Sequence, residues 1–154
     1  LKYSKADYEL VITTQGDYNP DCNDPRLTID SSNPDDRTSL YSGFDLMVLP
    51  RKYGGLCLPM NEALLSGLPV IMTNISPNNT ILPSKWLVEA SWDRTINFKG
   101  QTDSYETDPQ KLAELVDKFI NEYDIAREKQ LAYDIGYNNF APDVLKDRYL
   151  SIIG

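Results

Sequence analysis

Residues 45–73 read DLMVLPRKYGGLCLPMNEALLSGLPVIMT. Two apolar runs, Asp45–Pro50 and Pro69–Thr73, enclose a stretch with three glycines and a lone carboxylate, Glu62. Neither run alternates apolar with polar residues, which is the pattern of strands buried on both faces of a parallel sheet. Pro59 suits the first position of a helix and Gly67 the residue after its end. A strand, a bare loop, a short helix and a second strand are therefore expected in that order.

The flanking sequence continues the pattern. Tyr8–Thr14 (YELVITT) reads as a buried strand stopped by Gln15-Gly16-Asp17, and residues 17–25 are turn chemistry. Arg26–Ser31 is a short alternating strand. Asn33-Pro34-Asp35-Asp36 opens a helix that Gly43 ends. Trp86–Ser91 and Thr95–Phe98 are weaker strand candidates. Asp108 caps the next helix with Pro109 at its first position, and Leu112, Leu115, Val116, Phe119, Ile120 and Tyr123 form one apolar stripe. A last helical region covers Ile125–Ile153, interrupted near residues 138–142. Strands alternating with helices argue for an α/β fold around a parallel sheet, in one domain over residues 1–154.

Composition removes several classes of function. Fifteen basic against 23 acidic residues give a formal net charge of −8, and the densest basic cluster is Arg51-Lys52. A nucleic-acid surface is not expected. There is no histidine, so the commonest general base and metal ligand are missing. Cys22 and Cys57 lack metal-ligand spacing, and neither a metal nor a cofactor is expected. The cysteines, the lack of a signal peptide and the lack of a long apolar run lead to the expectation of a reducing, cytoplasmic setting. Asn74-Ile75-Ser76 and Asn78-Asn79-Thr80 match glycosylation sequons by pattern, as chance tripeptides often do. Most of the ten tyrosines and two tryptophans are expected in the core or at its rim.

In α/β sheets, ligands bind where strands end and helices begin. Gly54 and Gly55 let the backbone approach a ligand closely and take positive φ. Peptide N–H groups from Gly55 to Leu58, with the positive end of the helix, form an anion site suited to a diphosphate. Glu62, read as first-turn, can accept two hydrogen bonds from adjacent ribose hydroxyls. The same residues fit a structural role equally: a tight turn, and a carboxylate offsetting the helix dipole by about 0.3–1 kcal/mol. Asn78, Asn79 and Thr80 lie either beside this site or in a turn. Asn61 should point to another side of the helix from Glu62. No dinucleotide, P-loop or nucleophile-elbow motif is present.

The segment resembles the donor-site segment of retaining GT-B glycosyltransferases, the family of glycogen-synthase-like and mannosyltransferase-like enzymes. Asp45, Pro50, Gly55, Leu58, Pro59, Glu62, Ala63, Gly67, Pro69 and Val70 match its pattern position by position. The flanks agree: YELVITTQGD, DDRTSLYSGFD, YETDPQKLAELVDKFI and NNFAPDVLKDRYLSII are similar to successive elements of that family. The resemblance implies a three-layer Rossmann-like domain, the C-terminal half of a GT-B enzyme. That domain would bind a nucleotide-diphosphate sugar for metal-independent, retaining transfer to an acceptor hydroxyl.

By the same resemblance Glu62 is the second glutamate of an E-x7-E motif and binds the ribose. Gly54, Gly55, Leu56, Cys57 and Leu58 face the diphosphate and sugar, and Ser31-Ser32 lies at the nucleobase. Three departures stand out. Gly54 occupies the place of the first glutamate, and Cys57 that of a glycine. The family's phosphate-clamping Arg and Lys lie on an earlier strand and helix that this sequence does not include. Arg51 and Lys52 either add positive charge at this site or, by default, are exposed surface residues.

The chain opens on Leu1 without the family's N-terminal acceptor domain. A missing acceptor domain or partner chain is thus an expected partner. An exposed sheet edge or docking face would favour a homo-oligomer. The alternative is a non-catalytic GT-B-like module: a pseudo-enzyme, a nucleotide or phosphosugar sensor, or an assembly partner.

Overall fold

The Val70–Thr73 strand is buried at all four residues, and the rest of the fold is organised about it. In a computed structural model, which describes residues 1–32, 36–97 and 100–153, the chain is an α/β protein with parallel and antiparallel sheets. β1 (Leu10–Thr13) and β2 (Leu27–Asp30) form a parallel pair with Leu10 opposite Leu27. β3 (Met47–Leu49), β4 (Val70–Thr73) and β5 (Leu87–Val88) form a parallel three-stranded sheet with β4 in the middle. β6 (Ala90–Asn97) and β7 (Gln101–Thr107) form an antiparallel hairpin. The helices are α1 (Leu58–Leu65), α2 (Asn78–Ile81), α3 (Pro109–Glu122), α4 (Ile125–Phe140) and α5 (Pro142–Ile153).

Several elements follow directly from local chemistry. The Asp108 carboxylate accepts from the amides of Gln110 and Lys111, so α3 starts where a capping acid and Pro109 place it. The long C-terminal helix breaks at Ala141, just before Pro142, because a proline disfavours helical geometry in the residue ahead of it. α1 ends in a Schellman turn: Gly67 has φ of 72°, its amide donates to Leu64, and the Leu68 amide donates to Ala63. Gly67 is thus needed at that position.

The core joins Leu64 and Met60 of α1, Ile71 and Met72 of β4, Trp86, Phe119 of α3 and Ala132 of α4. α1 and α4 pack closely. A Cβ on Gly136 would lie 2.5 Å from the Leu64 carbonyl carbon, so only glycine lets the two backbones approach this far. Glu128 of α4 is buried, accepting from the Trp86 indole at 2.8 Å and pairing with Lys85 at 2.6 Å. These contacts fasten α4 to the turn before β5.

Four expectations need correction. The expected helix ending at Gly43 is a 3-10 turn at Arg37–Leu40, while Asn33, Pro34 and Asp35 lie outside the described residues. β3 is half-buried at all three residues, not buried on both faces, and among the described residues it pairs with β4 on one side alone. The 86–91 window divides between β5 and β6, and β6 runs through to Asn97 as one strand; Phe98 lies outside the described residues. Most of the tyrosines and tryptophans are exposed and not in the core or at its rim, among them Trp92 at 60% and Tyr149 at 65%. Among the described residues no helix is long and apolar enough to cross a membrane.

Candidate functional site

The loop from Pro50 to Cys57 leaves the carboxyl end of β3 and enters α1. Its conformation is set by three contacts. The Arg51 amide donates to the Thr73 hydroxyl at 2.9 Å, tying the start of the loop to the end of β4. The Arg51 guanidinium folds over the loop and donates to the carbonyl oxygens of Gly55 and Leu56 at 3.2 and 3.4 Å. The Tyr105 amide donates to the Lys52 carbonyl at 2.8 Å, setting the β6–β7 hairpin against the loop. The Thr73 and Thr107 hydroxyls, 3.2 Å apart, add a second link to that hairpin.

The two glycines do different things. Gly55 has φ of 116°, a conformation that L side chains rarely adopt. Gly54 is not in the positive-φ region, contrary to expectation; it is needed because a Cβ there would overlap the Ser76 carbonyl oxygen. The glutamate of the resembled motif therefore cannot be placed at position 54 on this backbone. Cys57 is buried and holds the N-cap position of α1 without a side-chain cap, while Leu56 and Leu58 are 76% and 57% exposed on either side of it. Both cysteines are free thiols.

Glu62 is the fifth residue of α1, so it lies in the second turn and not the first. The dipole-offset role loses its basis, since that effect fades within the first turn. Instead the Tyr41 hydroxyl donates to Glu62 Oε2 at 2.5 Å, which orients a half-buried carboxylate from the segment before β3. Asn61, its neighbour, has a buried side-chain oxygen with no partner among the described residues. Asn78 is fully buried, its amide only 3.5 Å from the Thr73 carbonyl and its oxygen likewise unpartnered. Burial removes Asn78 as an accessible sequon.

Ser32 is not brought into this group. It is exposed at the end of β2, its amide bonded back to Asp30, and no hydrogen bond among the described residues links it to the 54–58 loop. Two cavities lie elsewhere, and none of residues 54–62 lines either one. Among the described residues no group of three or more His, Cys, Asp or Glu side chains is placed to hold a metal ion. Lys52 is exposed and only 3.8 Å from Glu106, a weak surface pair.

Sequence reasoning missed two parts of the site. Arg51, expected at the surface by default, is half-buried and braces the loop, a role set by its contacts with the Gly55 and Leu56 carbonyls and carried by no local signal. The β7 strand was missed because its QTDSYET sequence is polar and offers no apolar periodicity.

What remains is a short surface with one guanidinium, the start of α1 and an oriented carboxylate. Pro59 has no N–H, so the first-turn amides without helical acceptors belong to Leu58 and Met60. Such a surface can hold an anion at the loop and a pair of hydroxyls at Glu62. Comparison with protein-family models, with curated proteins and with solved structures gave no match.

Proposed function

We propose that the chain is the donor-binding domain of a GT-B-type retaining glycosyltransferase, taking a nucleotide-diphosphate sugar without a metal ion. The observation that carries this reading is the ordered set Arg51, Gly55 and Glu62 at the junction of a parallel strand and α1, with Glu62 held by Tyr41. In this reading the diphosphate sits against the loop between Gly55 and Leu58, where amides and the Arg51 guanidinium oppose its charge. Glu62 accepts from the ribose hydroxyls once they displace or share the Tyr41 hydroxyl. Stabilising charge on the departing diphosphate is the catalytic effect such a site supplies. The three-layer Rossmann-like architecture and an acceptor domain on a further segment or partner chain belong to the same proposal.

A second reading has its own support. The close approach of Gly54 to Ser76 leaves no space for the motif's first glutamate, which favours a non-catalytic GT-B-like module that binds nucleotide without transfer. Calorimetric titration with UDP, GDP and ADP tests the shared claim. One nucleotide should bind, and Glu62→Ala or Arg51→Ala should weaken it by about tenfold, or about 1.4 kcal/mol. Binding that both variants leave unchanged, or no binding by the folded chain, would remove the donor-site reading. Turnover of the matching sugar nucleotide, alone or with an acceptor domain, separates enzyme from module.

A further inference from the structure

The base of the β6–β7 hairpin is fixed to the loop after β3 and to the end of β4. The Tyr105 amide holds the Lys52 carbonyl, and the Thr107 hydroxyl meets that of Thr73. Trp92 of β6 pairs with Tyr105, which sets it one strand spacing, about 5 Å, from that anchored residue. A bulge between the Trp92–Tyr105 and Arg94–Ser104 pairs adds a residue to β6. Side chains alternate along a strand and the added residue resets the alternation, so Trp92 and Thr95 share one face. Their partners Tyr105 and Asp103 lie on it too, followed by Asn97 opposite Gln101. Ser104, on the reverse face, is buried, which makes the Trp92 face the outer one.

Trp92 is 60% exposed, yet the orientation of its indole is set. The indole N–H donates to Asp103 Oδ1 at 3.3 Å, and the Thr95 hydroxyl donates to the same oxygen at 2.7 Å. These donors hold the Asp103 carboxyl below the usual carboxylate range. Asp103 Oδ2 has no hydrogen-bond partner among the described residues. The outer face therefore presents an oriented aromatic plane beside an open carboxylate oxygen. Exposed Asn97 and Gln101 add side-chain amides that both donate and accept. An aromatic face carries partial negative charge and attracts weakly positive C–H groups. A pyranose ring meets both demands, with axial C–H groups on its face and hydroxyls around its edge. A protein partner fits less well. None of the side chains named on this face is aliphatic, and charged residues such as Asp103 are depleted at the centre of protein interfaces.

We propose that the outer face of the β6–β7 hairpin binds a neutral oligosaccharide, with one pyranose ring stacked on Trp92, its hydroxyls bonded to Asp103, and further sugars running toward Asn97 and Gln101. The inference goes beyond the donor-site reading and does not depend on it.

The two tryptophans supply the reporter and its control, because Trp86 is fully buried. The whole chain is titrated with cellotetraose, maltotetraose and mannotetraose while the indole N–H signals are followed by NMR. At least one sugar should shift the Trp92 signal saturably at millimolar concentration and leave that of Trp86 in place. Followed at the Thr95 and Gln101 amides, Trp92→Ala should weaken binding by about tenfold or more, while Trp92→Tyr should keep most of it. Asp103→Asn should weaken it by about threefold or more. An unshifted Trp86 signal in each variant reports that the core is intact. A Trp92 signal that none of the three sugars moves overturns the proposal, and so does equal affinity in Trp92→Ala. Movement of the Trp92 signal with protein concentration alone, and none with sugar, would assign the face to a second copy of the chain instead.

Discussion

Gly54 lies so close to Ser76 that a Cβ on the glycine would overlap the serine's carbonyl oxygen. This contact joins the loop after β3 to the loop after β4, the two segments that follow adjacent parallel strands. It explains why a position that the resembled motif fills with glutamate carries hydrogen here. Gly54→Glu is expected to destabilise the chain by about 1–3 kcal/mol, the range for forcing extra atoms into packed space. Urea unfolding measures it, with Gly16→Ala as the control, since nothing lies within 4 Å of a Cβ at Gly16. Equal midpoints for the two variants would show that the loops separate at no cost.

Gly136 plays the corresponding role between helices. An alanine there gains about 1 kcal/mol in helix preference but places its methyl 2.5 Å from the Leu64 carbonyl carbon. Overpacking of a buried contact costs about 1–3 kcal/mol. Gly136→Ala should therefore lower stability on balance, and a thermal melt above that of the parent would contradict the close α1–α4 approach.

Glu128 holds two partners in a buried site, the Trp86 indole and the Lys85 ammonium. Glu128→Ala leaves the indole N–H unpaired in the core, and a loss of about 2–3 kcal/mol is expected for hydrogen bonds to a charged group. Glu128→Gln keeps an acceptor for Trp86 while removing the negative charge that pairs with Lys85, so it should recover part of that loss. Chemical unfolding followed by tryptophan fluorescence distinguishes the three proteins. Identical curves for the Ala and Gln variants would mean that the indole bond contributes nothing.

Asp24 gives a pH dependence with a definite sign. Its hydrogen bonds from the Arg26 side chain and amide lower its pKa from 3.8 to about 2. A depressed carboxylate favours the folded state above its ordinary pKa and loses that contribution as pH falls through the folded value. Stability supplied by Asp24 should thus be complete above 3.8 and disappear as pH falls toward about 2. Asp24→Asn should unfold at lower denaturant than the parent at neutral pH, with the gap closing in acid. A gap that is constant from neutral pH to about pH 2 would rule out the linkage.

The same Arg26 reaches the carbonyl oxygens of Leu1 and Ala6, and Asp117 of α3 accepts from Ser4, Lys5 and Ala6. Burial pushes the Asp117 carboxyl up, but these donors and Arg26 outweigh it and hold the pKa below the usual range. Asp117→Asn should therefore free residues 1–6 from α3, seen as faster amide exchange at Lys5 and Ala6. Unaltered exchange at both would show that the segment is held without the carboxylate.

Local chemistry was enough to place much of this chain. Unalternating apolar runs marked β3 and β4, Pro59 and Gly67 bracketed α1, Asp108 and Pro109 began α3, and Pro142 divided α4 from α5. Each of these signals acts within a few residues: a missing N–H, a positive φ, a capping carboxylate. Tertiary structure alone decided the rest. It made Gly54 a packing residue, turned Arg51 over the loop, brought Tyr41 to Glu62 and, among the described residues, divided the parallel strands into two separate sheets. It also paired the polar β7 with β6, where backbone hydrogen bonds hold a strand that apolar spacing does not announce. Those outcomes depend on which distant backbones meet and how closely, and no local preference in the sequence carries that information.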